Sequence, residues 1–328
     1  MVNSLQSLII REKFMRQKNV HGRGNTLWTR AKGYVDLIRP FTLIPPFFVS
    51  FFIIVASLVY NKLGFFSGWW LTAVQASLTL ALLNAASNIL NQAADVEADI
   101  ISKPYRPIPR GVVKPNEAHT IAYLLYSVVL FRAITINIRF GTIVALIMFF
   151  TVTYSLPPRV KRFLFLNQIW IAIPRGALGI LASWSVFGYA FQREPLIIAI
   201  ITSLFLVGGT TTKDIVDSTA DRRTGTYTLI NTFGTKKAAY ISLPFLILPF
   251  LSIPFLVLNN LLASYLLPLT FFAVPSFLVF YLMVRESRTR KLENVNAWAL
   301  MYLEYLFFAL CFAALVILGE TGHAEMLF

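Results

Sequence analysis

Long apolar stretches separated by short polar segments dominate the chain. Several reach 18 residues or more, which is long enough for a helix to cross a bilayer, and none shows the two-residue alternation of a barrel strand. With 57% hydrophobic and 13% charged residues, the composition excludes an ordinary soluble domain. The pattern predicts an all-α, polytopic membrane protein with about nine transmembrane helices. The predicted spans lie near residues 41–60, 69–92, 118–137, 140–156, 165–189, 195–213, 237–257, 261–284 and 297–318.

Basic residues fall almost entirely on one side of these predicted spans. In this topology, 24 of the 29 Lys and Arg residues lie in the N-terminal arm or in the loops at the same membrane face. Cytoplasmic loops carry an excess of Lys and Arg, so we expect the N-terminus and these loops to be cytoplasmic. The predicted organisation is a basic arm over 1–40, one transmembrane domain over 41–318 and a short tail over 319–328.

Two acidic clusters stand at the cytoplasmic ends of the second and sixth predicted spans. Six of the 15 acidic residues fall in the segments 91–99 and 214–221. At their spacings, the polar members of each cluster would share one helix face. They are Asn91, Asp95 and Asp99 in the first cluster, and Asp214, Asp217 and Asp221 in the second. Two such stripes facing each other would make the oxygen-rich site that Mg²⁺ favours.

Basic residues follow both clusters closely. Lys103 and Arg106 lie in a segment with prolines at positions 104, 107 and 109, which restrict its backbone. Carboxylates and a metal beside Lys and Arg are typical of a site that holds a diphosphate. The excess of cytoplasmic Lys and Arg is an equally good explanation for Arg110 and Arg223.

The order and spacing of these motifs resemble the UbiA superfamily of intramembrane prenyltransferases. The segments that carry the resemblance are Asn91-x3-Asp95-x3-Asp99, the Lys-Pro-x-Arg-Pro-Ile-Pro-x-Gly stretch from Lys103, Asp217-x3-Asp221, Ile38-Arg39-Pro40 and Tyr154-Ser155-Leu-Pro-Pro-Arg. The resemblance implies helices around a central cavity and Mg²⁺-dependent transfer of a polyprenyl group, such as geranylgeranyl, from its diphosphate to a lipid-soluble acceptor. The acceptor stays open among a prenylglycerol phosphate, an aromatic or quinone precursor and a chlorin.

The resemblance also implies a role for each matching residue. The metal ligands would be Asn91, Asp95, Asp99, Asp214, Asp217 and Asp221. The substrate contacts would be Lys103, Arg106, Arg39 and Lys161, with Asn91 and Ser155 beside them. The catalytic set would be Asp95, Asp99, Asp217, Asp221 and Tyr154, with Tyr154 near the reacting carbon or the acceptor. The expected partners are a prenyl diphosphate, a hydrophobic acceptor and membrane lipid, and no nucleic acid is expected.

Two other classes of membrane protein match parts of the pattern. The CDP-alcohol phosphotransferases also have an Asp-rich site, but their Asp-x2-Asp-Gly-x2-Ala-Arg signature fails at Ser218 and Asp221. An ion-coupled transporter would have an acidic cation site near the bilayer midplane, whereas these acids lie at span ends. Arg175 and Glu304 are charges within predicted spans; the alternatives for each are contact with the acceptor, snorkelling of the charged end toward the membrane surface, and pairing inside the protein.

Overall fold

The computed structural model describes residues 27–285 and 295–322, and all of its regular elements are helical. Short 3-10 segments connect several of the α-helices, and one π-helical turn interrupts the chain at Ile173–Ala177. The α-helices are α1 (Leu27–Ile38), α2 (Ile44–Tyr60), α3 (Trp69–Ala94), α4 (Val96–Ser102), α5 (Pro115–Ile136), α6 (Ile138–Ser155), α7 (Leu166–Ala172), α8 (Leu178–Trp184), α9 (Arg193–Gly209), α10 (Asp214–Arg223), α11 (Leu229–Phe233), α12 (Thr235–Leu251), α13 (Ile253–Leu258), α14 (Ala273–Arg285) and α15 (Asn296–Glu320).

Eight helical stretches in the described ranges are long and apolar enough to cross a membrane. They confirm the prediction of an all-α, polytopic protein. The fifth predicted span, near 165–189, is not among these eight; it is also helical, but the π turn divides it into α7 and α8. Pro174 lies in that turn and lacks the amide proton of a regular helix, which accounts for the interruption.

The membrane helices form a closed ring. Going round it, α2 packs on α3, α3 on α5, α5 on α6, α6 on α7 and α8, α7 on α9, α9 on α12, α12 on α14 and α14 on α15. The ring closes where α15 packs on α2. Helix α3 presents fully buried small residues, such as Ala76 and Ala86, to its neighbours. Small side chains let membrane helices approach closely, and this allows α3 to contact both α2 and α5.

Two apolar cores lie on opposite sides of the ring. One is built mainly from α2, α3, α5 and α6, and the other mainly from α9, α12, α14 and α15. Residues from both halves line the space between them. The ring is therefore a frame around an internal cavity, as the family resemblance implied.

The two ends of the chain are described only in part. Residues 1–26 of the predicted basic arm and residues 323–328 of the predicted tail lie outside the described residues. Within the arm, α1 begins at Leu27 and a 3-10 turn at Pro40–Leu43 joins it to α2, so helical structure starts before the predicted boundary at residue 41. The cytoplasmic orientation remains a prediction.

Candidate active site

A polar cavity of about 190 Å³ lies at the end of the ring where the two acidic clusters meet. All of the predicted metal and catalytic residues line it, and so do most of the predicted substrate contacts. The lining includes Asn91, Asp95, Asp99, Asp214, Asp217, Asp221, Tyr154, Lys103, Arg106, Arg39 and Lys161. Ser155 does not line the cavity; it is buried behind Asn91 and its hydroxyl donates to the Asn91 Oδ1 at 3.3 Å. Ser155 thus contacts a site residue, and its contact with substrate remains a prediction.

The first acidic cluster does not lie on one unbroken helix, which corrects the sequence prediction. Helix α3 ends at Ala94, Asp95 has a non-helical backbone at φ −109° and ψ 24°, and α4 begins at Val96. The backbone amides of Asp95 and Asp99 still donate to carbonyls four residues earlier, at 3.0 and 2.9 Å. The break therefore bends the segment without turning its polar stripe away from the cavity.

Asp99 is held by an arginine from the loop that follows it. The Arg106 Nη1 donates to both carboxylate oxygens of Asp99, at 3.0 and 2.8 Å, and both side chains are buried. Burial raises the pKa of Asp99, while the positive charges of Arg106 and Lys103 act in the opposite direction. The pair closes the start of the 103–114 loop against α4.

The rest of this loop is fixed by its backbone and by two apolar anchors. The amide of Val112 donates to the carbonyl of Pro107 at 3.0 Å, and Ile108 and Val113 are buried in the core beside α3. Gly111 occupies the left-handed region at φ 72°, where a side chain would be strained. The loop therefore holds Lys103 and Arg106 at the cavity on a rigid support.

Asp95 contacts two cations from the segment after α6. The Arg159 Nη2 lies 2.8 Å from the Asp95 Oδ1, and Lys161 pairs with the other oxygen. Lys161 also donates to the Asn91 Oδ1 at 3.2 Å. Burial lowers the pKa of Lys161, and the attraction of Asp95 opposes that shift. Arg159 belongs to the Tyr154-Ser155-Leu-Pro-Pro-Arg motif, which predicted no role for it; its position after two prolines at a span end was the available signal.

Lys103 connects the two acidic clusters. Its Nζ lies 2.5 and 2.6 Å from the two carboxylate oxygens of Asp217, which is on α10. The side chain of Lys103 is buried, and that of Asp217 is largely so. This contact brings the first loop against the second cluster and closes one side of the cavity.

Asp214, a predicted site residue, is hydrogen-bonded to two residues that the sequence did not predict, Lys213 and Asn167. Lys213 pairs with one oxygen of Asp214, and the Asn167 amide donates to the other at 3.4 Å. The hydroxyl of Tyr154 donates to the Asn167 Oδ1 at 3.1 Å, and Lys213 donates to the same oxygen at 3.3 Å. Asn167 and Lys213 were missed because each looks like an ordinary polar residue at the end of an apolar run.

Asp221 differs from the other four aspartates of the cavity. Within residues 27–285 and 295–322, its carboxylate has no hydrogen bond and no ion pair, whereas each of the others has at least one cation within 4.0 Å. It lines the polar cavity near the end of α10. Asp221 is therefore the carboxylate most available to an added cation.

A second, mainly apolar cavity of about 120 Å³ adjoins the polar one. Its walls include Val49, Leu80, Leu83 and Leu206, and it shares Thr42, Lys213 and Tyr302, among others, with the polar cavity. The polar cavity, which we call the charged mouth, and the apolar cavity, which we call the apolar chamber, therefore adjoin and share part of their walls. This arrangement suits a molecule with an anionic head and a hydrocarbon chain.

Arg175 and Glu304, the two charged residues within predicted spans, have different surroundings. Arg175 lines both cavities, and its Nη1 donates to the Tyr302 hydroxyl at 2.6 Å. Glu304 is buried, accepts a hydrogen bond from Ser276 and lines neither cavity. Of the two, the structure places Arg175 alone where it could contact a substrate.

Comparison with known proteins gives a consistent result. A profile of the UbiA prenyltransferase family matches residues 49–304. The chain is 29% identical over 166 residues to the digeranylgeranylglyceryl phosphate synthase of Methanosarcina mazei, in a region covering 51% of this chain and 56% of that protein. It is 26% identical over 300 residues to the probable chloroplastic homogentisate phytyltransferase 2 of Oryza sativa, covering 83% of this chain and 76% of that protein.

A solved structure shows the same fold. A UbiA homologue from Archaeoglobus fulgidus, bound to DMAPP and Mg²⁺, superposes with a TM-score of 0.66 over 87% of this chain and 98% of the other, at 16% identity. The family profile covers most of the chain, and it confirms the resemblance carried by the Asp-rich motifs. The chain belongs to the UbiA prenyltransferase family.

Proposed function

We propose that the protein transfers a geranylgeranyl group from its diphosphate to the hydroxyl of a prenylglycerol phosphate, in a reaction that requires Mg²⁺. The wall that the two cavities share is the observation that carries this proposal. A diphosphate among Lys103, Arg106 and Lys161 would place its hydrocarbon chain in the apolar chamber, because Thr42 and Lys213 belong to the walls of both. The family membership supplies the reaction class, prenyl transfer.

The proposed step exchanges one bond to carbon for another. The bond between C1 of the prenyl chain and the diphosphate oxygen breaks, and both electrons leave with the diphosphate. The acceptor hydroxyl oxygen forms an ether bond to C1, and its proton is released to solvent. The apolar walls keep water from capturing the allylic cation. The ring of Tyr154, which already lies 5.8 Å from the Lys161 Nζ, provides an aromatic face at the polar end.

The donor atoms at the cavity fit Mg²⁺ in kind. They are carboxylate and amide oxygens from Asn91, Asp95, Asp99, Asp214, Asp217 and Asp221. In the part of the chain that the structure describes, no three Asp, Glu, His or Cys side chains converge into a metal cage of their own. Mg²⁺ does not require such a cage, since it usually binds through one or two carboxylates together with water and phosphate oxygens. When bound, Mg²⁺ would neutralise the charge that develops on the departing diphosphate.

Each predicted residue has a proposed task that follows from its contacts. Lys103, Arg106, Arg39 and Lys161 would bind the diphosphate. Tyr154 would lie against the reacting carbon. Ser155 would act through Asn91, whose amide oxygen it contacts.

We also propose that the charged mouth faces the cytoplasm, because Lys and Arg concentrate at that end. A reporter fused after Phe328 should then give a non-cytoplasmic signal. A cytoplasmic signal from that fusion would contradict the orientation without affecting the proposed chemistry.

The acceptor is chosen by analogy with a named relative. Removing one geranylgeranyl group from digeranylgeranylglyceryl phosphate, the product in the name of the Methanosarcina mazei relative, leaves a prenylglycerol phosphate. The Oryza sativa relative, which matches more of the chain, favours an aromatic acceptor as the second candidate. The first is preferred because a lipid with one prenyl chain suits a site that already opens into an apolar chamber.

A product analysis tests the proposal directly. The purified protein in lipid nanodiscs would receive labelled geranylgeranyl diphosphate, Mg²⁺ and either geranylgeranylglyceryl phosphate or homogentisate, with mass spectrometry of the products. We expect the doubly prenylated ether phospholipid and free diphosphate, and neither after chelation of Mg²⁺. Prenylation of homogentisate alone would replace the first candidate acceptor with the second.

A further inference from the structure

Arg175 occupies an unusual place for a charged side chain. It lies in the π-helical turn Ile173–Ala177, between α7 and α8, inside a predicted membrane span. Its neighbour Gly176 is pressed against α9, where an added Cβ would lie 2.6 Å from the Ser203 Cα. That close approach fixes the turn, and Arg175 lines the junction of the polar and apolar cavities. Ionisable groups within membrane spans usually mark functional sites.

Tyrosines of α15 hold Arg175 in position. The Arg175 Nη1 donates to the Tyr302 hydroxyl at 2.6 Å, and the Arg175 carbonyl accepts from the Tyr305 hydroxyl at 2.8 Å. The ring of Tyr302 packs on Trp298, with centroids 4.2 Å apart. Trp298 and Tyr302 also line both cavities. The guanidinium is therefore oriented by neutral groups that do not cancel its charge.

Four other cations of the polar cavity differ from Arg175 in this respect. Lys103, Arg106, Lys161 and Lys213 each form an ion pair with an aspartate of the two acidic clusters. Across residues 27–285 and 295–322, no Asp or Glu lies within 4.0 Å of the Arg175 guanidinium. The residue is also exposed toward the space it lines. Its positive charge remains available to an anion that enters from the apolar chamber.

We propose that Arg175 binds the anionic headgroup of the acceptor. The planar guanidinium donates two parallel hydrogen bonds to a phosphate or a carboxylate, and this geometry selects such a group over a neutral one. With the headgroup held at the junction, the acceptor chain lies in the apolar region and its nucleophilic atom faces the donor. The inference rests on the proposed function for the identity of the reaction, and it adds the chemical class of the acceptor: an amphiphile or aromatic compound that carries an acidic group.

Equilibrium binding tests this assignment without turnover. Wild-type protein, Arg175→Gln and the control Arg139→Gln would be titrated in nanodiscs with geranylgeranylglyceryl phosphate, with the dephosphorylated geranylgeranylglycerol and with homogentisate. Arg139 is exposed, stacks on Tyr189 and lines neither cavity, so it provides the same substitution away from the site. We expect Arg175→Gln to weaken binding of the preferred acid about 10- to 100-fold and to leave the neutral alcohol unchanged.

Further binding measurements distinguish a role of Arg175 in acceptor binding from a role in diphosphate binding. The Mg²⁺-dependent affinity for geranylgeranyl diphosphate should stay within about twofold of wild type in Arg175→Gln, and this also shows that the variant is folded. Tyr302→Phe keeps the charge of Arg175 but removes the hydrogen bond that orients it, so it should weaken acid binding about threefold to tenfold. The loss in Arg175→Lys should fall between those in Tyr302→Phe and Arg175→Gln.

Some titration results would contradict the role of Arg175, and others would contradict only the proposed acceptor. Equal loss for the acid and the neutral alcohol, no loss for the acid, or a matching loss for the diphosphate would each overturn the assignment of Arg175. If wild type prefers homogentisate to the phospholipid and that preference requires Arg175, the inference stands while the proposed acceptor fails. If wild type shows no preference for any acid over the neutral alcohol, the inference fails whatever product the enzyme makes.

Discussion

The two acidic clusters look alike in sequence, but their carboxylates are neutralised in different ways. In the first cluster, Asp99 pairs with Arg106 and Asp95 pairs with Arg159 and Lys161. All three cations come from loops next to the first half of the ring. In the second cluster, Asp217 depends on Lys103, which belongs to the loop after the first cluster, and Asp221 has no side-chain partner among the described residues.

This difference indicates that the first cluster mainly supports the structure and that the second mainly binds a cation. The similar motifs alone would not distinguish these roles. The first cluster forms a wall whose negative charges are largely balanced, which lets it stay buried at the end of a membrane bundle. In the second cluster, the carboxylate of Asp221 lies at the cavity with no cation partner among the described residues. An added cation would therefore be stabilised most strongly there. We therefore expect substitutions in the second cluster to affect metal-dependent activity, and those in the first to affect stability as well.

The largest expected effect is the loss of activity on replacing Asp221. Asp221→Asn keeps the shape of the side chain and removes the carboxylate that, among the five cavity aspartates, has no cation beside it in the described residues. We expect kcat/KM for prenyl transfer to fall about 100- to 1000-fold, because electrostatic support for the leaving diphosphate would be lost. The matched control is Glu97→Gln, since Glu97 is exposed on α4 and does not line the cavity. Equal activity in Asp221→Asn and wild type would refute the contrast between the clusters.

The next effect concerns stability and sharpens the same contrast. Asp99→Asn leaves the buried guanidinium of Arg106 without its carboxylate, and we expect the free energy of unfolding in detergent micelles to fall by about 3 kcal/mol. The double variant Asp99→Asn/Arg106→Gln should regain much of that loss, because the uncompensated charge is gone. If the single and double variants unfold alike, the pair does not stabilise the loop and the first cluster is not the balanced wall described above.

Much of the fold was predictable because a helix that crosses a membrane requires a long run of apolar residues. Apolar length fixed most span positions to within a few residues, as for 69–92 against Trp69–Ala94 and 297–318 against Asn296–Glu320. The pattern could not show the helix break at Asp95 or the π turn at Ile173–Ala177. Both depend on local backbone geometry and on packing with helices distant in sequence, which hydropathy does not record.

The candidate site was predictable only as far as residue type and spacing could show. The aspartates were found because acidic residues are scarce in this chain and six of the 15 fall in two motifs, and Lys103 was found because it follows the first motif in a proline-rich segment. Their pairing was not, since Lys103 reaches an aspartate 114 residues away. Asn167 and Lys213 were missed because their role depends on contacts with Tyr154 and Asp214 that only the closed ring creates.

Removing the bridge between the clusters should have an intermediate effect. Lys103→Met takes away the cation that pairs with Asp217 and lines the proposed diphosphate site. We expect the KM for prenyl diphosphate to rise about 10- to 30-fold, with a smaller change in the KM for the acceptor. Steady-state kinetics with each substrate varied in turn would measure both. An unchanged KM for the diphosphate would limit Lys103 to a structural role.

The smallest expected effect is at Arg159, and it tests whether the first cluster is doubly supported. Arg159→Gln removes one of the two cations on Asp95, but Lys161 remains on the other oxygen, and Arg159 is partly exposed. A partly exposed ion pair contributes little, so we expect kcat/KM to fall no more than about threefold. Lys161→Met, which removes the buried cation, should cost several times more. If Arg159→Gln proves the more damaging of the two, the balance of charge at Asp95 depends on the exposed arginine, and Asp95 resembles Asp217 in relying on a single cation.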